Sequence, residues 1–132
     1  MAEYTQANLQ QIENLAPKFG MGDGLEARFA TADLGLEKSG VSLQRLASGF
    51  RMPFGHRHKE QEELYVVVGG GGRVKIEDEI VELVQWDAVR VPGDEMRCFE
   101  AGPDGLDLLA FGAPNTGPPS ADAEMEPNWW TD

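Results

Sequence analysis

The sequence predicts an all-β domain, a sandwich or barrel of antiparallel strands with a short helix before it. Three observations carry this reading. After Gly24, short segments rich in Val, Leu and Phe recur at separations of about eight to twelve residues, with turn signals between them. Glycine is abundant, at 16 residues without a fixed repeat, as a fold with many tight turns requires. The chain has 132 residues, enough to bury a hydrophobic core and too few for two comfortable domains.

Taken in order, the helix comes first. Leu9, Ile12 and Ala16 recur at spacings of three and four among polar residues, which predicts a helix from Thr5 to about Ala16. Pro17 ends it, and "GMGDG", from Gly20 to Gly24, closes an N-terminal segment of residues 1–24. So short a helix needs a surface to pack on. The strands then run from Leu25 through "LEARFATADL", "SGVSLQRLASGF", "ELYVVV", "RVKIE", "EIVELV", "DAVRVPG", "MRCFEA" and "LDLLAFG", giving a barrel over residues 25–113. "GGGG", from Gly69 to Gly72, reads as a hairpin loop, since the lysine and following helix of a phosphate loop are missing. Turns are expected at Glu77 to Glu79 and at "AGPDG", from Ala101 to Gly105. Residues 114–132, rich in Pro, Gly, Ala and acids, read as a tail mostly without regular structure. The tail ends in Trp129 and Trp130. Either it frays, or it docks these rings on the barrel or on a partner subunit; docking is favoured because adjacent exposed tryptophans invite aggregation.

Charge narrows the partners. The formal net charge of −12 repels phosphate backbones and anionic lipid heads, so neither nucleic acid nor a membrane surface is expected as a partner. The single cysteine, Cys98, forbids an internal disulfide and suits a reducing compartment. The N-terminus has no basic start and no unbroken apolar core, and no apolar run is long enough to span a bilayer; a cytoplasmic protein is expected.

Chemistry concentrates in "PFGHRHKEQEELYVVVGGGG", which holds both histidines of the chain. In a strand, residues i and i+2 face the same way, so His56 and His58 aim at one point and Arg57 points away. If a turn falls at Lys59 to Gln61 and the strand resumes at Glu62, then Glu62, Leu64, Val66 and Val68 share a face. Glu62 then supplies a carboxylate beside the imidazoles, while Tyr65 and Val67 pack under the flanking strands. Two imidazoles and a carboxylate suit Zn, Mn, Fe or Ni. The same triplet in a polar loop would simply be two surface histidines.

Two longer motifs give the triplet its context. "GFRMPFGHRHKEQEELYVVVG" supplies His56, His58, Glu62 and Gly69 at the spacing of the first cupin motif: glycine, five residues, HxH, three or four residues, glutamate, six residues, glycine. Six residues rather than five separate Gly49 from His56. "WDAVRVPGDEMRCFEAG", from Trp86 to Gly102, is similar to the second. The chain thus resembles the cupin family. The resemblance implies a small jelly-roll barrel with side chains lining a cavity at its mouth, and a homodimer. It also implies a fourth metal ligand, a histidine from the second motif, and that place falls to Arg97.

Arginine stays protonated and does not ligate cations. Three readings of Arg97 follow. An ion sits on His56, His58 and Glu62, and Arg97 anchors the carboxylate or phosphate of a substrate beside it. Alternatively no ion binds, Arg97 pairs with Glu62 inside the barrel, and the cavity is a plain small-molecule pocket or sensor site. In the third, Arg97 only stitches strands or points to solvent. Cys98, next along the strand, should face away as a buried small hydrophobe. Phe50, Met52, Phe54 and Phe99 line the cavity or fill the core. The function expected is a metal-binding cupin, an oxygenase- or isomerase-type enzyme acting on a small anionic molecule, with a metal-free binding protein as the alternative.

Overall fold

The computed structural model describes residues 1–118 and 121–132; Pro119 and Ser120, in the expected tail, lie outside the described residues. Among the described residues, eight strands form one curled sheet: β1 (Leu25–Phe29), β2 (Gly40–Leu46), β3 (Phe54–His58), β4 (Glu62–Ile76), β5 (Glu79–Leu83), β6 (Ala88–Val91), β7 (Arg97–Ala113) and β8 (Ala123–Pro127). They run β1-β2-β7-β3-β8 across the sheet, and β4 pairs with β5, β6 and β7. All the pairings are antiparallel. The all-β jelly-roll barrel expected from the sequence is the fold observed.

The long strands β4 and β7 lie side by side and bend together. Their ladder breaks register between Val67 and Gly69 and again between Gly70 and Gly72. "GGGG" is therefore a corner inside one strand, and the hairpin loop expected there is not formed. The turn expected at "AGPDG" is likewise absent, because those residues continue β7 opposite the glycines. Close backbone approach explains the choice of residue. Gly70 has φ +65, and a Cβ on it would lie 2.0 Å from the carbonyl oxygen of Gly105. Strained approach of this kind is what glycine permits at sheet corners. Gly70→Ala is expected to cost more than about 2 kcal/mol, since both the dihedral and the contact oppose a side chain. A urea titration read by circular dichroism measures it; an unchanged midpoint would show that the corner relaxes. The expected turn after β4 is present: Glu77, at φ 48, and Asp78 join Ile76 to Glu79.

At the N-terminus the expected helix from Thr5 to Ala16 does not form. Two 3-10 turns, Leu9–Gln11 and Ala16–Phe19, stand in its place. Asparagine side chains compete for the backbone there. Asn8 accepts from the Gln10 N–H, and Asn14 accepts from the N–H groups of Ala16 and Ala27, tying the segment to β1. Ile12 and Ala16 are buried, as the periodicity suggested.

The core fills the barrel with Leu46, Val67, Val74, Phe99, Leu106 and Leu108, among others. Cys98 is wholly buried among them. Its thiol donates to the Met52 carbonyl at 3.3 Å, and burial pushes it up to about 11. It is a core residue, as expected, and no ligand. The tail is more ordered than its composition suggested. Its β8 pairs along β3, from Phe54↔Pro127 to His58↔Ala123. Trp130 is buried beneath the Arg51 guanidinium, which lies 4.1 Å from the ring centroid and also donates to the Trp130 carbonyl. Trp129 lies against Gly55 with the Lys75 ammonium 4.6 Å from its ring. Both rings dock on the chain's own barrel. Among the described residues, no helix is long and apolar enough to cross a membrane.

Candidate metal centre

Three strands build the site. β3 carries His56 and His58 on one face, with ring centroids 5.3 Å apart, while Arg57 points outward to Glu124. β7 enters beside it, with Arg97 paired across the ladder to His56. β4 supplies the carboxylate, and here the structure corrects the sequence reading. Glu62 does not face the histidines. Its side chain is 56% exposed and pairs with Arg90 at 3.0 Å on the outer surface. Glu63 faces inward, with Tyr65 and Val67 on the same face, and its Oε1 lies 3.0 Å from His58 Nε2 and 3.4 Å from His56 Nε2. A shift of one residue turns a whole strand over. The register is fixed by Tyr65 and Val67, both buried; the Tyr65 ring packs 4.6 Å from that of Phe99.

One donor atom from each of His56, His58 and Glu63 lies within 4.8 Å of the other two, and the residues form a candidate metal-binding triad. The two distances from Glu63 Oε1 to the imidazoles, 3.0 and 3.4 Å, fit an ion. Ligand bonds of about 2.1 Å at angles between right and tetrahedral hold neighbouring donors roughly 3.0 to 3.4 Å apart. The electronic state fits as well. Burial lowers the pKa of His56 against the opposing pull of Glu63, so its ring is held neutral with a free lone pair. Burial alone would raise Glu63, yet the nearby imidazoles of His56 and His58 outweigh it and hold its carboxyl well below the usual carboxylate range. His58 is 6% exposed, and neither of its ring nitrogens has a well-aligned hydrogen bond, although carboxylates stand 3.0 and 3.3 Å away. A buried imidazole nitrogen with no aligned partner is what a coordination position looks like before it is filled.

Arg97 occupies the fourth side. It is wholly buried, and its Nη2 donates to the carbonyls of Pro92 at 2.8 Å and Val91 at 3.3 Å. Nη1 lies 3.9 Å from Glu63 Oε1, and Nη1 and Nε have no hydrogen-bond partner among the described residues. The guanidinium is thus part of the site and faces Glu63, whereas one of the three readings paired it with Glu62. Tyr65 completes the group: its hydroxyl donates to Glu63 Oε1 and lies 3.4 Å from His56 Nε2. Burial, with the Glu63 charge, raises this phenol well above its ordinary range, so it stays a donor. Tyr65 was read from the sequence as packing only; its alternation with Glu63 was the signal that could have found it. Asp122 was missed entirely, since nothing local marks an acid in a polar tail. The site is tight. Its solvent-facing edges are the side chains of His56, 16% exposed, and Glu63, 12% exposed.

The difference between the two glutamates is testable. Glu63→Gln is expected to lower metal affinity at least 100-fold, and Glu62→Gln to leave it unchanged within twofold. Chelator competition with zinc measures both; a loss confined to the Glu62 variant would reverse the strand register given above.

No family model and no curated protein matches the chain. Solved structures do. A cupin protein from Bacteroides fragilis superposes with a TM-score of 0.71 at 25% identity, covering 92% of this chain and 95% of that one. Oxalate decarboxylase from Bacillus subtilis, in its structure at pH 4.6, gives 0.76 at 18% identity over 95% of this chain. A variant of that enzyme gives 0.79 at 19% identity over the same share. The chain spans about a third of the decarboxylase's length, 32% and 33% in the two structures.

Proposed function

For this chain, a cupin by fold, we propose a protein that holds a divalent metal on His56, His58 and Glu63 and binds a small anion between that ion and Arg97. The observation that carries this is the placement of a wholly buried guanidinium, with unpartnered Nη1 and Nε, beside three converging metal donors. The formal charges support it. Glu63 and Asp122 contribute −2 and Arg97 +1, so the empty cluster carries −1 and a dication brings it to +1. A net positive point inside a protein of net charge −12 draws an anion that the outer surface would repel. The low exposure of His56 and Glu63 favours a small anion. Two histidines and one carboxylate leave coordination positions open, and the bound metal would supply Lewis acidity or oxygen chemistry there. This chain's residues would do the rest. Arg97 orients the anion through its forked donors, and Tyr65 holds Glu63 in place by donating to Oε1.

An oxygenase- or isomerase-type activity on such an anion is part of this proposal, as are a cytoplasmic location and a homodimer, which sedimentation would test. Oxalate, the substrate named for the decarboxylases of similar fold, is the first anion to try. The test is elemental mass spectrometry of protein purified without an affinity tag, followed by thermal unfolding with and without oxalate. Near-stoichiometric metal, with oxalate raising Tm only in the loaded protein, supports the proposal. No metal after dialysis against ferrous, manganese, nickel and zinc salts overturns it. One observation favours a second reading, a metal-free binding protein: Arg97 already lies 3.9 Å from Glu63 and partly balances it. Under that reading oxalate stabilises the metal-free protein, and Arg97→Ala removes the effect.

A further inference from the structure

The tail does more than cover the barrel. Asp122, the residue before β8, is 5% exposed and lies behind His58. Its Oδ1 accepts from the Glu60 N–H at 3.0 Å, and its Oδ2 accepts from the Gln61 N–H at 3.0 Å. Its backbone carbonyl accepts from the Lys59 N–H at 3.1 Å. The residue thus grips the whole turn between the two strands that carry the donors. Its Oδ2 also stands 3.3 Å from His58 Nδ1, the ring nitrogen opposite the one aimed at the site, near enough to bond on a small rotation of either side chain although the two are not aligned. On the other face of the ring, Nε2 lies 3.0 Å from Glu63.

A neutral imidazole has one proton for two nitrogens. With Asp122 behind and Glu63 in front, the two carboxylates compete for it. If the proton sits on Nε2, the lone pair faces away from the site and the ring cannot ligate. A second carboxylate at Nδ1 offsets this by giving the proton a better-compensated place on the far side. Among the described residues His56 has no such neighbour: the carboxylate beside it, Glu63, lies on the site side at Nε2. The two histidines are therefore prepared differently. Only behind His58 does an acid stand, delivered from 64 positions along the chain.

From this geometry we propose that Asp122 is a positioning residue for the metal centre. It fixes the His58 proton on Nδ1, turns the Nε2 lone pair into the site, and makes the C-terminal arm a structural requirement for metal binding. The proposal rests on the metal-binding reading for its effect on affinity, but its effect on the imidazole stands without the ion.

The experiment compares wild type with Asp122→Asn and, as a control on the same arm, Glu124→Gln, whose exposed side chain pairs with Arg57. Zinc affinity is measured by chelator competition, and the nitrogen-15 shifts of the His58 ring by NMR, with and without zinc. Asp122→Asn is expected to lower zinc affinity 10- to 100-fold, in the range of a lost outer partner. Glu124→Gln should change it less than twofold. In metal-free wild type, Nδ1 of His58 is expected to carry a proton, and in Asp122→Asn the Nε2-protonated tautomer should become dominant. A general loosening of the arm would shift Tm and lower affinity without that exchange of tautomer, and would overturn the positioning role. Wild-type zinc affinity retained in Asp122→Asn would also overturn it. Should wild type bind no metal, the metal reading fails alone; the inference then stands or falls on the metal-free spectrum, and a His58 ring protonated only at Nε2 sinks it.

Discussion

Replacing His58 with alanine should abolish metal uptake while the barrel stays folded. The expected loss exceeds about 100-fold in affinity, since removing a ligand costs more than removing an outer partner. His58 is the best-placed of the three donors: its Nε2 lies 3.0 Å from Glu63 Oε1, and its backbone N–H is held by the Gly93 carbonyl at 2.7 Å. That backbone bond survives truncation, and so do the bonds from Glu60 and Gln61 to Asp122. The fold therefore loses one buried imbalance and gains a small cavity, roughly 1–3 kcal/mol against a total of about 5–15. Elemental mass spectrometry beside far-ultraviolet circular dichroism reads both quantities. Stoichiometric metal in the folded variant would show that the ion sits elsewhere and would remove the basis of the proposed function.

How far the sequence shows this site depends on which pattern is read. The histidines were legible because β3 is short and its alternation admits one arrangement: both imidazoles on one side, Arg57 on the other. The glutamate was not. "EELYVVV" is apolar at both parities, so periodicity does not say which face is inside. The motif spacing does not decide either, since three or four residues may follow the second histidine and Glu62 and Glu63 satisfy one each. Only three-dimensional packing chooses, through Tyr65 against Phe99. The corner at Gly69 to Gly72 was hidden for a related reason. Glycines signal a departure from regular backbone, but a bulge within a continuous strand and a loop between two strands use the same residues. Asp122 lay beyond reach because its partners, Glu60 and Gln61, are more than 60 positions away, a pairing that exists only once β8 lies along β3.

Arg97→His should raise metal affinity at least tenfold in anion-free buffer and abolish the stabilisation given by oxalate. The first effect is electrostatic. Two unit charges about 4 Å apart interact by roughly 4 kcal/mol at an effective dielectric constant of 20, and each 1.4 kcal/mol is a factor of ten. Even a small fraction of that repulsion, doubled for a dication, exceeds the tenfold expected. The second effect is chemical. Imidazole offers the ion a lone pair on the side where β7 faces His56, but it lacks the fork that holds a carboxylate. Under the proposed function, anion and metal assist each other in the wild type, and by linkage each tightens the other by the same factor. The histidine variant should uncouple them: tight metal binding, indifferent to oxalate. There is a structural cost, because the bonds from Nη2 to Val91 and Pro92 disappear and the longer side chain leaves a void. Stability should fall by about 1–3 kcal/mol without metal and recover on zinc addition. Titrating zinc into both proteins, with and without oxalate, reads all of this. Weaker zinc binding in the folded variant would mean that the guanidinium does not face the ion, and that Arg97 serves the barrel through its carbonyl bonds alone.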